Sequence, residues 1–480
     1  MPPITLPRRT LHAFRTVAKK HLGLKARDDG PCVRVDAADE GGTRLTAVGA
    51  DGRGISLLVP GDRPPAGLVL PFDLLAQAGA AKNGDVQLSE ADRGNAVVAN
   101  WEERGVPRST RVALEKKDRD RAANFEPPAV PEWTDPGDGF GDALRAACEV
   151  TDADSGRYAL GCVRLDPSAG RIEATDSHHL LIARGFRFGF DQPVLLPAPH
   201  ALSAAPLRKQ DVRVAFLPGG RQAGVLALRC GDWTVWSPEA RDARFADLDR
   251  VVPGGEGKAA VGLTEADAAF LADRLDRLPG AGAERRPVTL EIRDGVFLVR
   301  AAEEDGAPVE LATASSQVRG AAVCVADRRF VARALTAGCT QWALNGPEEP
   351  VRCDGPDADE GHPGVTVVFA TLAGDPVPAE GAVRLTADGP SSPVAAASTS
   401  SPAPVPAKRP AAPMPANRLN GHAAADPEAL LDRATALQAT LADAAAEAKG
   451  LAADLRKLKR RDRLVSSALG SLKRLGSLTT

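Results

Sequence analysis

Three stretches of the chain share one order of hydrophobic and polar positions. They begin near residue 67 with GLVLPFDLLAQAGAAKNGDVQLSE, at 193 with PVLLPAPHALSAAPLRKQDVRVAF and at 321 with AAVCVADRRFVARALTAGCTQWAL. Each pattern predicts a short apolar strand, a polar or proline break, an apolar-periodic helix of about ten residues and an alternating strand. The spacings of 126 and 128 residues indicate an internal repeat.

A second helical pattern recurs with a similar period. It is present in PRRTLHAFRTVAKKHLG (7–23), GFGDALRAACEVTDA (139–153) and TEADAAFLADRLDRLPG (264–280). Strand-like runs follow each helix, and runs such as VTLEI and RVALE alternate apolar with polar residues, which is typical of antiparallel sheet covered by helices on one face. The sequence therefore predicts an α+β fold of three tandem domains at 1–128, 129–255 and 256–374.

The composition changes after residue 374. The range 375–425 is rich in proline, alanine and serine and carries too little apolar surface to offset the entropy of ordering, so we expect a disordered linker. Asp426 and Pro427 suit a helix start, and leucines and alanines then recur in a heptad pattern. This pattern predicts a C-terminal helix over 426–475, as a coiled coil or a docking helix, with a basic stretch at 456–463.

Composition and motifs narrow the function classes. The 480 residues carry a net charge of −3, so any affinity for a polyanion must come from the distribution of charge. No apolar run approaches the ~18 residues of a membrane span, and seven scattered cysteines form no C-x-x-C, so we expect a soluble cytoplasmic protein with reduced thiols and no metal or cofactor. No G-x-S-x-G, H-E-x-x-H or Walker pattern is present, which argues against an enzyme.

The most specific stretch is SGRYALGCVRLDPSAGRIEATDSHHLLIARG (155–185), which is similar to R-Y-x-L-x-G followed by two strands and A-T-D-G-H-R-L. ARFADLDRVVP (243–253) and GVTVVFATL (364–372) are similar to F-P-D-Y-x-R-V-x-P and Y-V-V-M-P-M. In this order, the motifs resemble the bacterial DNA sliding clamp family, the beta subunits of DNA polymerase III.

The resemblance implies a fold and a function. Two subunits would close head to tail into a ring, with helices lining the hole and antiparallel sheets outside. The homodimer would encircle double-stranded DNA independently of sequence and would tether the replicative polymerase and the clamp loader through peptide motifs. Such a protein is not an enzyme and is expected in the cytoplasm, associated with the nucleoid.

A sliding ring needs basic side chains that contact phosphates without reading bases. Some candidates lie on or beside the predicted helices, and Arg157 and Tyr158 lie where the family approaches DNA. The DNA-binding candidates are Arg8, Arg9, Arg15, Lys19, Lys20, Lys25, Arg27, Arg157, Tyr158, Arg208 and Lys209.

The resemblance also implies a partner-peptide cleft between the second and third domains. Its candidate residues are Leu160, Thr175, Ser177, His178, His179, Leu180, Ala246, Arg250, Val251, Val367, Phe369, Ala370 and Thr371. Ser177 replaces a glycine of the family pattern, His179 an arginine, Ala246 a proline, and residues 369–371 replace Met-Pro-Met. Since methionines adapt to many ligands, these changes predict an altered specificity. The apolar wall residues are kept, so we expect a functional cleft; the alternative is that these residues only close a core.

The dimer interface implied by the resemblance joins a strand of the first domain to the third domain. Its candidate residues are Val112 and Leu114 in the first domain and Leu275 and Leu278 in the third.

Two alternatives to a DNA clamp remain open. One is a clamp-fold scaffold that no longer encircles DNA and acts through its C-terminal helix. The other is an enzyme built around His178 and His179. On a strand, adjacent side chains point to opposite faces, so this pair is a poor candidate for a shared metal ion or a catalytic centre.

Overall fold

The protein is described as a computed structural model. It covers residues 3–25, 30–61, 63–64, 67–80, 83–152, 159–282, 285–303, 306–358 and 363–387, and the backbone of 389–390. None of the described helices is long and apolar enough to cross a membrane. Arg27, Arg157, Tyr158 and the predicted helix 426–475 lie outside the described residues.

Three repeats follow one another along the chain. The elements of the first are β1 Ile4–Pro7, α1 Arg8–His21, β2 Val33–Ala37, β3 Thr43–Val48, β4 Gly54–Val59, β5 Leu68–Leu70, α2 Phe72–Ala78, β6 Asp85–Ala91, β7 Ala96–Glu103, β8 Val106–Ala113 and the connecting helix α3 Lys116–Ala122. The elements of the second are α4 Phe140–Val150, β9 Cys162–Asp166, β10 Arg171–Thr175, β11 His179–Arg184, β12 Val194–Pro197, β13 Val212–Leu217, β14 Val225–Cys230 and β15 Trp233–Pro238. The elements of the third are β16 Ala259–Gly262, α5 Glu265–Leu275, β17 Pro287–Arg293, β18 Val296–Ala301, β19 Val309–Ala312, β20 Gln317–Arg319, β21 Ala322–Asp327, α6 Arg328–Thr336, β22 Gln341–Leu344, β23 Val351–Asp354 and β24 Gly364–Phe369, followed by β25 Val383–Thr386 and β26 Gly389–Pro390.

Each repeat consists of two similar units, and each unit ends in three antiparallel strands. The short strand that begins one unit pairs with the sheet of the other unit: β1 joins β6–β8, β5 joins β2–β4, β12 joins β9–β11, β16 joins β22–β24 and β21 joins β17–β19. The unit that starts at α4 has a single bridge in place of this strand, between Thr134 and Val214. This exchange of first strands ties the two units of each repeat together.

Successive repeats share continuous sheets. The last strand of the first unit, β4, pairs with β15, the last strand of the second repeat. In the same way β11 pairs with β24 of the third repeat over six residue pairs. These two junctions satisfy backbone groups that would otherwise form open sheet edges.

The helices cover the apolar face of the sheets. In α1, Leu11, Phe14, Val17 and Ala18 are buried, which is the spacing of one helix face. Neighbouring helices also contact one another, α1 with α2 and α5 with α6. The helices therefore form one layer over a common core, as the α+β prediction requires.

One predicted helix is wrong. The stretch after residue 197 was expected to form about ten residues of helix, but only His200–Ser203 form a short 3-10 turn. Ala204 after the turn is extended, and prolines at 197, 199 and 206 flank it. Because proline lacks a backbone N–H and disfavours helix in the residue before it, a longer helix cannot form here.

The predicted start of the disordered linker at residue 375 is also wrong. Strand β25 pairs with β19 in parallel, and Ala382 beside it is fully buried. The short alternating run VRLT at 383–386 is the sequence signal for this strand. We call the described residues 371–387 the C-terminal strap.

His21 at the end of α1 makes stability depend on pH. Its Nε2 lies 3.0 Å from the carbonyl oxygen of Trp236, so it donates, and burial lowers its pKa from 6.5 to about 4. Stabilisation by the neutral ring is complete above pH 6.5 and is lost as the pH falls towards 4. The slope is about 1.4 kcal/mol per pH unit.

We expect His21→Gln, which keeps an N–H donor but does not titrate, to flatten this dependence. Urea unfolding at pH 7 and pH 5 should show the wild-type protein losing about 2 kcal/mol more than the variant. Parallel loss in both proteins would show that His21 does not titrate with folding.

Candidate functional site

An apolar cavity lies at the junction of β11 and β24. Its volume is about 370 Å³. The lining residues are Leu160, Thr175, Ser177, His178, His179, Leu180, Ala246, Leu248, Val251, Pro350, Val368, Phe369 and Ala370. The second and third repeats both contribute to it because β11 and β24 come from different repeats.

Ten of the thirteen residues predicted for the partner cleft line this cavity. Val367 does not, because its side chain is in the core on the opposite face of β24. The side chain of Arg250 is 85% exposed and pairs with Asp247 at 2.9 Å. Thr371 follows the end of β24 and does not reach the cavity.

The sequence-based prediction missed three lining residues, Leu248, Pro350 and Val368. The period-2 alternation of β24 would have placed Val368, rather than Val367, on the side of Leu180. Leu248 lies in the 3-10 turn Leu248–Arg250, and Pro350 precedes β23, so neither shows a strand or helix period.

A tight turn before β11 positions the histidine pair. Asp176 Oδ1 accepts hydrogen bonds from the backbone N–H groups of His178 and His179, both at 2.8 Å. Thr175 Oγ1 donates to the His179 carbonyl at 2.8 Å. Ser177 has φ +76°, the left-handed conformation that favours glycine, so the serine is held in a conformation that costs it energy.

His179 is a buried, neutral side chain between two repeats. Its ring stacks on Phe330 of α6 with centroids 4.3 Å apart, and its Nε2 lies 2.8 Å from Arg333 Nη1. Because an arginine only donates, Nε2 accepts and the ring proton is on Nδ1, 2.9 Å from Asp176 Oδ1. Burial lowers the pKa of His179, partly opposed by Asp176. The residue fixes the cavity wall and is not exposed for catalysis.

The two histidines differ in burial, and strand alternation does not apply to them because β11 begins at His179 and His178 lies in the preceding turn. His178 is exposed at the cavity, while His179 is buried. No group of three or more His, Cys, Asp or Glu in the described ranges has the arrangement of a metal site.

The cavity floor and rim are apolar. Leu180, Leu248 and Val368 are buried together with Ile182 in a small cluster separate from the main core. Val251 at the rim is 55% exposed, which is unusual for a large aliphatic side chain. A concave apolar surface with an exposed aliphatic rim is suited to binding a short apolar segment or a small aromatic molecule.

A second candidate surface lies on the helix layer. Arg9 and Lys20 of α1 are exposed, and Arg15 and Lys19 are half-buried. Lys20 Nζ donates to Ser203 Oγ at 3.3 Å, which brings α1 next to the 3-10 turn of the second repeat, and Arg208 and Lys209 follow that turn and are exposed. We call Arg9, Arg15, Lys19, Lys20, Arg208 and Lys209 the cationic face.

The electrostatics of this region are positive. Desolvation lowers the pKa of His200, and Arg53 and Lys20 lower it further. At the end of α5, by contrast, Asp273 pairs with Arg274 at 3.0 Å and with Arg277, just after the helix, at 2.9 Å. Positive charge is therefore concentrated near α1 and is largely balanced on α5. Lys25, which follows α1, is exposed and interacts with other groups of the chain.

Arg8 does not belong to the cationic face, and its prediction as a DNA contact is wrong. Its side chain is only 1% exposed; Nε donates to the Ala78 carbonyl at 2.6 Å and Nη1 to the Glu102 carbonyl at 3.2 Å. Its guanidinium also lies over the Trp101 ring. Arg8 joins the end of α2 to the start of α1, and Arg328 at the start of α6 donates to the Leu278 carbonyl after α5 in the same way.

Three of the four residues predicted for the dimer interface are buried within the chain. Leu275 and Leu278 are 0% and 4% exposed and belong to the core under α5, so that part of the prediction is wrong. Leu114 is buried as well. Val112 on β8 is half-buried and remains at the surface of the first repeat.

Arg8→Met is expected to destabilise the fold, because the buried carbonyls of Ala78 and Glu102 lose a charged donor. We expect a loss of about 2 to 4 kcal/mol in the free energy of unfolding in urea. Arg9→Met at the neighbouring exposed position is the matched control, with a change within about 0.5 kcal/mol. Equal effects at the two positions would contradict the buried role of Arg8.

The described fold is similar to that of solved sliding clamps. The DNA polymerase III beta chain of Streptococcus pneumoniae has 15% sequence identity and a TM-score of 0.59, covering 78% of this chain and 100% of that one. The beta clamp of H. pylori in complex with diflunisal has 13% identity and a TM-score of 0.58, with 77% and 100% covered. The griselimycin-bound sliding clamp of Pseudomonas aeruginosa has 16% identity and a TM-score of 0.55, with 78% and 99% covered. No protein-family model and no curated protein matches the chain. The chain therefore has the fold of the bacterial sliding clamps.

Proposed function

We propose that this protein is a DNA sliding clamp: two copies close into a ring around duplex DNA and hold other proteins there without catalysing a reaction. The observation that carries the proposal is the coincidence of the clamp fold with positive charge concentrated on the helix layer. The clamp loader and a replicative polymerase are the proposed partners, bound through the apolar cavity. The protein would act in the cytoplasm, on the DNA of the nucleoid.

The cationic face supports binding to the DNA backbone. Its arginines and lysines lie on α1 and on the segment that follows the 3-10 turn His200–Ser203. Contacts with phosphates alone are independent of sequence, so they hold a ring near the duplex axis and still permit sliding. The concentration near α1 means that the first and second repeats supply most of this attraction.

We expect Arg9→Glu with Lys20→Glu to weaken duplex binding at least about tenfold at low salt, since two phosphate contacts become repulsive. Fluorescence anisotropy with a labelled duplex measures this directly. The matched control is Arg241→Glu with Arg319→Glu, which makes the same change in net charge at exposed positions in the second and third repeats.

If both double variants bind DNA equally well, the cationic face is not the DNA surface. Topological retention is the separate test of the ring. At protein concentrations where the chain dimerises, it should remain on nicked circular DNA and be released when the circle is cut. Indifference to cutting would instead favour the clamp-fold scaffold.

The apolar cavity supports the capture of partner segments. Its buried floor is preformed, and His179 is fixed by Asp176, Phe330 and Arg333. The cavity therefore needs little rearrangement to bind a segment. Preorganised apolar pockets gain affinity because less conformational entropy is lost on binding. Phe369 and the anchored His179 make this cavity more rigid than one lined by methionines, so we propose a narrow range of partner segments.

Diflunisal is a suitable probe of the cavity because its difluorophenyl ring is small and apolar and its fluorines report binding by NMR. We expect Val251→Glu to weaken binding about tenfold or more, since it places a charge on the apolar rim. Val106→Glu is the matched control, because Val106 is 49% exposed on β8, outside the cavity. Equal binding to both variants would exclude this cavity as the probe site.

A further inference from the structure

The pairing of last strands leaves two strands without an equivalent partner. The six units of the three repeats have six last strands. Four of these pair across repeats, β4 with β15 and β11 with β24. The remaining two are β8 of the first repeat and β19 of the third. At the other junctions, last strands of different repeats pair with each other. If the same pairing joins two copies of the chain, β8 of a second copy would pair with β19.

The edge of β19 is already occupied within the chain. Val309, Glu310 and Leu311 of β19 are paired in parallel with Val383, Arg384 and Leu385 of β25. Val383 N–H also donates to the Pro308 carbonyl at 2.8 Å. In the described part of the chain, β8 pairs only with β7, so the matching edge of the first repeat is open.

The C-terminal strap reaches this edge by crossing the sheet. Leu372 N–H donates to the Val325 carbonyl of β21 at 2.7 Å. Further along, Val377 N–H donates to Thr289 Oγ1 of β17 at 2.8 Å, and its carbonyl accepts from Arg300 Nη1 of β18 at 2.6 Å. The strap thus runs from one edge of the sheet, over the face that the helices leave uncovered, to the opposite edge.

A buried carboxylate on β19 makes the stability of this edge depend on which strand pairs with it. Glu310 of β19 has a side chain that is 0% exposed, and it accepts from Arg300 Nε at 2.8 Å through Oε2. Arg384 of the strap donates to its other oxygen, Oε1, at 2.8 Å. Without the strap, this oxygen loses its cation, so the edge favours any strand that supplies an arginine at this position.

Strand β8 carries the same pattern as β25. Residues 110–113 of β8 read TRVA, and residues 383–386 of β25 read VRLT. Arg111 lies between Thr110 and the half-buried Val112, and Arg384 lies between Val383, which is 44% exposed, and the half-buried Leu385. By strand alternation each arginine is on the face opposite to that of its apolar neighbour, Val112 or Leu385, which packs against the core. Arg111 is exposed, and among the described residues it forms an ion pair with the surface carboxylate of Asp92.

We propose that the C-terminal strap occupies the subunit interface: β25 fills the edge of β19 on which β8 of a second copy docks, and ring closure requires the strap to be displaced. This inference rests on the proposed function, since it assumes that two copies form a ring. The strap has two consequences. It covers an edge that would otherwise be open to aggregation, and it holds the chain as a monomer until a second copy competes for the edge.

A reversible crosslink tests the proposal in the full chain. Val309→Cys with Val383→Cys places two thiols on directly paired residues of β19 and β25, and oxidation locks the strap in place. The native thiols interfere little, because six are buried and burial raises the pKa of Cys32 to about 11. Light scattering should show that the oxidised protein stays monomeric at concentrations where the reduced protein dimerises.

A release variant tests the opposite direction. Arg384→Glu with Leu385→Asp places a like charge beside Glu310 and removes the apolar contact of β25 with the core. We expect dimerisation at a concentration at least about tenfold lower than for the wild type. Arg319→Glu, an exposed charge reversal in the third repeat on another sheet, is the control and should not change the mass.

The outcomes distinguish a failure of the strap inference from a failure of the proposed ring. If the oxidised protein dimerises and remains on nicked circular DNA as the reduced protein does, the inference is wrong and the clamp function stands. If the release variant dimerises no more readily than the Arg319→Glu control, the inference is wrong as well. If all proteins stay monomeric and none is retained on circles, the ring is wrong and the inference falls with it.

Discussion

The structure depends on the satisfaction of strand edges. Each three-stranded unit leaves the backbone polar groups of its last strand at a sheet edge, where a strand of another unit can pair with them. The β4–β15 and β11–β24 pairings solve this within the chain and set the positions of the repeats. The helices can then pack side by side over a continuous core, and the apolar cavity forms where β11 and β24 meet.

Charged pairs on the uncovered face define the register of these sheets. Glu173 of β10 is buried between Arg164 at 3.0 Å and Arg171 at 2.9 Å. Burial raises the pKa of Glu173, whereas the two arginines lower it. A shift of two residues between β9 and β10 would preserve the alternation of apolar side chains, but it would separate Arg164 from Glu173 and leave the buried carboxylate with only Arg171 of its own strand. The charges thus contribute specificity where hydrophobic packing alone does not.

The sequence predicts the repeated architecture well, because periodicity reports which face of an element is buried. It could not distinguish Arg8 from Arg9, since a buried arginine is identified only by the carbonyls that surround it, and those of Ala78 and Glu102 are far away in sequence. The same limit explains Leu275, which periodicity marks as apolar without showing whether its own core or a partner covers it. Motif similarity locates the cavity but assigns Val367 to it, whereas the alternation of β24 places Val368 on the side of Leu180.

The run from β24 to β25 links the two functional features of the third repeat. Within some twenty residues the chain completes the junction with β11, closes the cavity with Ala370 and becomes the strap. Ala370 N–H donates to the His178 carbonyl at 2.8 Å, and two residues later Leu372 is already bound to β21. If a chain ended at the cavity, its last residues could adopt several conformations. Here the chain continues across a sheet, so residues 369–371 must keep one backbone conformation. Phe369, fully buried against Trp342 and Phe330, meets this requirement better than a flexible methionine. The departure of residues 369–371 from the family pattern is therefore explained by the strap as much as by any change of ligand.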